Sequence, residues 1–343
     1  MRRHQTKETG TMNIALLTDA WAPQMSGAAM TLERMVRELS TRGDRVEVVH
    51  PGRFRTIPCP TYPDIRLALR PGPKLSSILA AFQPEAIHIP VEGPIGLAGR
   101  RYCLRHQLRF TTSFMTKFPE YIRDRFKIPP ALLYRLFRWF HAPASRTMVS
   151  TPGLKQELES KGFQDLVFWS RGVEHELFRP RQGRVLDVAR PVSMYMGRVA
   201  VEKNIQAFLD LDLPGTKVVI GDGPALKSLQ DRHPEALFLG RKTGQDLAVH
   251  LADADVFVFP SLTDTFGIVL IEAMACGVPV AAYPVVGPKD LVVHGTTGWL
   301  DNNLQTAVEK ALDMDPQACR DHALQFTWER SVEQFRSNLF TNS

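Results

Sequence analysis

Residues 260–280, Pro-Ser-Leu-Thr-Asp-Thr-Phe-Gly-Ile-Val-Leu-Ile-Glu-Ala-Met-Ala-Cys-Gly-Val-Pro-Val, constrain this chain more than any other stretch. An apolar run at 255–259 enters it as a buried strand, and a polar turn follows. Gly267 opens a helix, Gly277 closes it, and a second apolar strand (278–282) leaves. Between Phe266 and Ala282 the only charge is Glu272. A carboxylate inside an apolar helix is costly to bury, so Glu272 must meet a hydrogen-bonding partner or open onto a cleft. Asp264 sits eight residues earlier, in the turn leading to the helix N-terminus. Free backbone N–H groups and the positive end of the helix dipole gather there, which suits an anion such as a phosphate. An ordinary buried helix with one structural glutamate is the competing reading.

Strand–turn–helix order recurs earlier in the chain and predicts an α/β chain of two Rossmann-like units. In the first, the apolar run 13–18 is a strand and a turn with Pro23, Ser26 and Gly27 follows. A helix with apolar residues at Met30, Leu32, Met35, Val36 and Leu39 comes next, and 46–49 is a second strand. Residues 86–89 form a further strand, and Glu92 in the loop after it is a cleft candidate. His88, within that strand, reads as a packed core histidine. The second unit begins at 191–196 and runs into Gly197-Arg198-Val199-Ala200-Val201-Glu202-Lys203. A strand end supplies Arg198 and the next helix start supplies Lys203, so two long cations converge at the sheet's C-terminal edge, as a diphosphate requires.

These residues carry a resemblance. Carboxylate, seven residues, then Glu before Ala-Met-Ala-Cys-Gly-x-Pro-Val is similar to the nucleotide-sugar signature of retaining GT-B glycosyltransferases, glycosyltransferase family 4 (group 1). Asp264 stands where most of that family has Glu, and Asp-Thr-Phe-Gly resembles the mannosyltransferase and sulfoquinovosyltransferase-like branch. The resemblance implies a GT-B fold with two domains facing a cleft. An acceptor-side domain would span 12–180, and the helix 328–340 would cross back onto it. A donor-binding domain would span 191–327, after a linker at 181–190.

It further implies catalytic roles for Arg198, Lys203 and Asp264, and donor contacts from Gly27, Gly197, Gly221, Phe266, Gly267, Ile268 and Glu272. In these, Arg198 and Lys203 neutralise the diphosphate, Asp264 binds the sugar and Glu272 the ribose. Acceptor-side candidates are Glu92, Met115 and Tyr121; Met115 replaces a histidine that many relatives carry, and Ser26 an asparagine. The reaction implied is retaining transfer of a hexose, mannose-like by branch, from a GDP- or UDP-type sugar to an acceptor hydroxyl on a lipid or glycan. No cofactor is expected, and no metal, because no Asp-x-Asp pattern ends a strand.

Composition narrows the partners. The 343 residues carry a net charge of +6. Residues 1–180 hold 27 Lys+Arg against 16 Asp+Glu, whereas 181–343 hold 15 against 20. Eleven Lys/Arg fall between Arg100 and Arg146, against Glu120 and Asp124. Within that run, 131–141 reads as an amphipathic helix able to lie on an anionic membrane, with Trp and Phe inserted and Arg on phosphates. A packed helix with a solvated basic face is the alternative. Nucleic acid is not expected, because no binding motif accompanies the charge.

No apolar run approaches the ~20 residues that span a bilayer. Residues 1–11 lack the apolar core of a secretory signal, and the four cysteines lack metal-ligand spacing. Together these predict a cytoplasmic protein, peripheral on the inner face of the membrane. A sugar-nucleotide-binding protein without turnover and a GT-B nucleotide-sugar epimerase are the rival functions. A dehydrogenase is disfavoured, since neither half has the dinucleotide glycine fingerprint.

Overall fold

A computed structural model describes residues 10–342 apart from Met25, Thr61 and Ile128. The basic segment 1–9, the bulk of the non-signal reading above, lies outside the described residues. The first half contains β1 (Asn13–Leu17), β2 (Arg45–Val49), β3 (Thr56–Cys59), β4 (Tyr62–Ala68), β5 (Ala86–Ile89), β6 (Thr111–Ser113), β7 (Arg146–Val149) and β8 (Leu166–Phe168). The second contains β9 (Val192–Met196), β10 (Thr216–Ile220), β11 (Leu237–Phe238), β12 (Val256–Phe259), β13 (Val280–Ala282) and β14 (Gly298–Leu300). Two six-stranded sheets result, ordered β2-β1-β5-β6-β7-β8 and β11-β10-β9-β12-β13-β14, with β3 and β4 as a separate antiparallel hairpin.

All pairings within both large sheets are parallel. Parallel strands are covered on both faces, which is why Val256–Phe259 and Val280–Ala282 read as unbroken apolar runs and are fully buried. Strand order reverses between β1 and β5 in the first sheet and between β9 and β12 in the second. At such a reversal the two flanking loops diverge and leave a crevice beyond the carboxyl ends of the strands. The loops after β1 and β5, and those after β9 and β12, therefore define where a ligand can sit.

The last helix, Trp328–Asn338, packs on the first half of the chain, not on the second that precedes it. Val332 and Phe335 are fully buried with Ile14, Leu16, Leu32 and Met35. Trp169 donates its indole N–H to Ser331 at 3.2 Å, and Arg336 pairs with Asp44 at 2.8 Å. Polar contacts between the two halves include three beside the crevice. Ser150 donates to the Thr265 carbonyl at 2.7 Å, Thr265 donates to the Met115 carbonyl at 2.8 Å, and the Gly153 amide donates to Asp290 at 2.6 Å.

The helix Pro130–His141 corrects one expectation. Phe137 and Phe140 face inward at 7% and 2% exposure, so they are not the inserting residues. The outward stripe is Leu132, Leu136 and Trp139, at 60%, 55% and 50%. Both faces of this helix are apolar, and sequence periodicity alone did not say which would meet the sheet. Arg138 is exposed and is tied down by donating to the Lys161 carbonyl at 3.0 Å. Among the described residues no helix is long and apolar enough to cross a membrane.

Candidate active site

The loop after β9 and the loop after β12 are locked together before any ligand is considered. Val201–Lys203 form one turn of 3-10 helix, and Asn204 ends it in the left-handed region at φ +52°. Asparagine tolerates that conformation better than most side chains. Its amide donates to the Pro260 carbonyl at 3.0 Å, which ties the two loops. Tyr195, fully buried in β9, donates its hydroxyl to the Arg198 carbonyl at 2.9 Å and fixes the start of the first loop.

On this frame the Lys203 ammonium pairs with the Asp264 carboxylate at 2.6 Å, and both side chains are largely buried. Burial alone would pull the lysine pKa down. The Asp264 charge and the Tyr121 and Tyr195 hydroxyls outweigh it and push the pKa up, so Lys203 is charged at any working pH. Tyr121, from the helix Phe118–Phe126 of the first half, hydrogen-bonds Lys203 across the crevice. Its own pKa is raised, chiefly by burial. Three of the residues singled out from sequence thus touch one another, although 143 positions separate Tyr121 from Asp264.

Beyond Asp264 the chain turns into the helix Ile268–Ala275, whose N-terminus has neither a side-chain cap nor an acidic residue in its first turn. Gly267 stands at φ +86°, and the amides following Phe266 remain available to an anion. Glu272 lies one turn further on, 8% exposed and without a side-chain hydrogen bond among the described residues. Burial raises its pKa to about 8, with the nearby Glu174 adding to the effect. It is a protonated or frustrated carboxyl until something donates hydrogen bonds to it.

The glycines divide by cause. A Cβ on Gly221 would strike the Gly197 carbonyl at 1.9 Å, and its φ of +149° also demands glycine, so its role is to let two strand-end turns pass. Gly27 is different: a Cβ there meets nothing within 4 Å. It is the first residue of the helix Gly27–Thr41, and Ser26 caps that helix by accepting from the Ala29 amide. Serine at 26 therefore has a local reason, and the structure sets no steric demand for glycine at 27.

The acceptor-side candidates do not all gather here. Glu92 does not stand open to the crevice; its side chain is 9% exposed and pairs with His141 at 3.0 Å. His141 in turn bonds Thr112 at 2.8 Å, giving a buried polar chain that neither residue's sequence neighbourhood signalled. Beside it, Asp19 accepts from the amides of Ile95 and Gly96 at the start of the helix Pro94–Arg105. Burial, opposed by those two amides, lifts its pKa to about 6. His88 is a core residue, bonded to Thr111 and Ser113, and burial pushes its pKa down to about 3.

Met115 belongs to the buried apolar cluster that also holds Ile14, Leu32 and Met35, and its carbonyl accepts from the Thr265 hydroxyl of the other half at 2.8 Å. Replacing it by histidine is expected to bury a polar ring among these side chains and cost about 1–3 kcal/mol. The expected result is a lower melting temperature with no gain in turnover. A gain would show that this position faces the crevice.

Among the described residues no group of three or more His, Cys, Asp or Glu is placed to hold a metal ion. Residues 25–177 match the family described as Glycosyltransferase Family 4. Residues 190–314 match that described as Glycosyl transferases group 1. A sulfoquinovosyl transferase of Arabidopsis thaliana is 27% identical over 361 residues, covering 92% of this chain and 71% of the relative. A GDP-mannose-dependent alpha-mannosyltransferase of Corynebacterium glutamicum is 27% identical over 320 residues, covering 84% of this chain and 76% of the relative.

Among solved structures, the sucrose-phosphate synthase from Thermosynechococcus elongatus superposes with a TM-score of 0.76 at 20% identity, covering 95% of this chain and 98% of that one. Anabaena HepE in complex with UDP and glucose gives 0.70 at 16%, covering 95% and 98%. Two parallel-sheet units with facing switch points, and a match to the two family descriptions along most of the sequence, place this chain among the family 4, group 1 glycosyltransferases of GT-B fold.

Proposed function

We propose that this glycosyltransferase moves a hexose, mannose-like in preference, from a nucleotide diphosphate sugar to an acceptor hydroxyl with retention at the anomeric carbon and without a metal. The acceptor is a lipid or glycan presented at a membrane surface. The observation that carries this reading is the buried Lys203–Asp264 pair at 2.6 Å, reached by Tyr121 from across the crevice. A charged lysine fixed beside uncapped helix amides supplies what a leaving diphosphate needs, preorganised positive charge in a site poor in water. Arg198, on the same loop, adds a second cation. Phe266, Gly267 and Ile268 supply backbone amides, Gly27 the clearance for the diphosphate from the other side, and Glu272 an acceptor for the ribose hydroxyls.

The pair also orders events. An incoming diphosphate competes with Asp264 for Lys203, and the carboxylate it displaces is then able to accept from a hydroxyl of the transferred sugar. Asp264→Asn removes the competitor. Its affinity for a free nucleoside diphosphate is expected to rise about tenfold, or ~1.4 kcal/mol, while transfer falls. Calorimetry with GDP and UDP beside a transfer assay reads both; weaker nucleotide binding in the variant would sink this account of the pair.

GDP- and UDP-linked relatives both occur among the similar proteins, the former by name and the latter in the complex just described. A thermal-shift screen against GDP-, UDP- and ADP-sugars tests the donor reading as a whole, and no stabilisation by any would overturn it. Membrane presentation is supported by the outward stripe of Leu132, Leu136 and Trp139, flanked by Arg135 and by Arg100 stacked 4.0 Å from the Trp139 ring. Met115, a thioether where many relatives carry a histidine, supports the alternative of a donor-binding protein without turnover; donor binding with neither hydrolysis nor transfer would select it.

A further inference from the structure

A concavity with a basic rim lies outside the Lys203 site. It has a volume of about 640 Å³ and is lined by Arg53, Phe54, Arg55, Leu69, Arg70 and Lys74. It sits just beyond the C-terminal end of β2, the strand next to β1, where the turn Pro51–Arg53 meets the base of the β3–β4 hairpin. The backbone there is well tied: the Leu69 amide donates to the Arg55 carbonyl at 2.8 Å, which sets Arg55 opposite Leu69 and Arg70. Trp21, in the loop after β1, contacts the His50 ring at 6.0 Å. The concavity therefore adjoins the β1 loop, on the crevice side of the first sheet.

Four cations lining one concavity repel one another unless something compensates. Among the described residues only Arg53 of the four has a carboxylate partner, Glu47 at 2.6 Å. Lys74 donates to the Arg53 carbonyl at 2.6 Å and lies over the Phe54 ring. Arg55 and Arg70 are exposed and have no carboxylate partner among the described residues. Three positive charges are thus left over. Leu69, at 48% exposure, and Phe54 add an apolar wall beside them. Guanidinium groups bind phosphate oxygens with two parallel hydrogen bonds, and an adjacent apolar wall suits a phosphate carried on a partly apolar body.

We propose that this concavity is a binding site for a phosphate-type anion on the acceptor, separate from the site that holds the donor diphosphate. The proposal rests on the reading above in one respect, that the first half of the chain carries the acceptor. The phosphate belongs either to a lipid headgroup in a bilayer or to a free phosphorylated acceptor, and the same side chains would recognise both.

The test compares the full chain with Arg55→Gln/Arg70→Gln, and with Lys74→Gln as a milder variant. Binding is measured to phosphatidylcholine vesicles with and without phosphatidylglycerol, and to glycerol 3-phosphate in solution. The double variant is expected to lose tenfold or more in affinity for at least one anionic probe, with an unchanged melting temperature and an unchanged thermal shift by GDP and UDP. Loss on vesicles alone assigns the phosphate to a bilayer lipid, and loss on glycerol 3-phosphate assigns it to a soluble group. Variant binding equal to that of the parent, or no anion binding by the parent, overturns the proposal. If no nucleotide shifts the melting temperature but anion binding still depends on Arg55 and Arg70, the donor reading fails and this site stands.

Discussion

Lys203→Ala is expected to lower kcat/KM by roughly 10²–10³-fold, the loss seen when one preorganised electrostatic contact to a developing charge is removed. The lysine is aimed by Asn204 and Tyr195 through backbone contacts and neutralised by Asp264 at 2.6 Å, so its position is set by the fold and not by the ligand. Removing it also strands Asp264, a largely buried carboxylate, and stability falls with activity. Lys203→Ala/Asp264→Asn separates the two effects. The double variant should regain melting temperature relative to Lys203→Ala and regain no turnover. Steady-state kinetics and thermal denaturation of the three proteins read this directly, and wild-type kinetics in Lys203→Ala would end the assignment of this crevice.

The second large effect concerns Glu272 and has a definite sign with pH. Its pKa rises from 4.5 in an unfolded chain to about 8 in the fold, so the folded state holds a proton that the unfolded state has lost. A raised acid contributes stability that is complete below pH 4.5 and is lost as pH climbs through 8. Over that window the ligand-free protein should lose about 4 kcal/mol from this group, each pKa unit being worth ~1.4 kcal/mol. Glu272→Gln keeps the shape without the charge. It is expected to abolish that part of the pH dependence and to be the more stable protein at pH 8.

Nucleotide binding should show the opposite preference. Ribose hydroxyls donate to the ionised carboxylate, so donor binding releases a proton below pH 8, visible in calorimetry as an enthalpy that varies with the buffer. Glu272→Gln should bind nucleotide more weakly and release none. An unchanged proton release in Glu272→Gln would remove Glu272 from the donor site.

Sequence reached the main elements because they obey local rules. Apolar runs gave the parallel strands, and the apolar helix with one acid gave the 268–275 segment. The charge step between the halves located the basic surface. The nucleotide-sugar signature singled out Asp264 and Glu272, and the separate run 197–203 singled out Lys203, with no reference to distance. What it did not supply were the partners. Asp264 appeared as a sugar ligand, and its pairing with Lys203 could not be read because the loops after β9 and β12 meet only through sheet order. Asn204 was visible in its motif and silent about its purpose, since a left-handed turn residue that braces another loop has no one-dimensional signal.

Glu92 and Met115 mark the limit most clearly. Sequence placed both at the crevice, by loop position and by resemblance. The fold pairs the first with His141, because a buried carboxylate needs a donor, and places the second in the buried cluster that includes residues of β1 and the helix Gly27–Thr41, with its carbonyl on Thr265 of the other half. The chain by itself determined which strands and helices would form and where the motifs 197–203 and 260–280 would stand among them. Only tertiary structure decided which side chains meet, because contacts across 50 to 150 residues depend on sheet order and burial, and no spacing along the chain records either one.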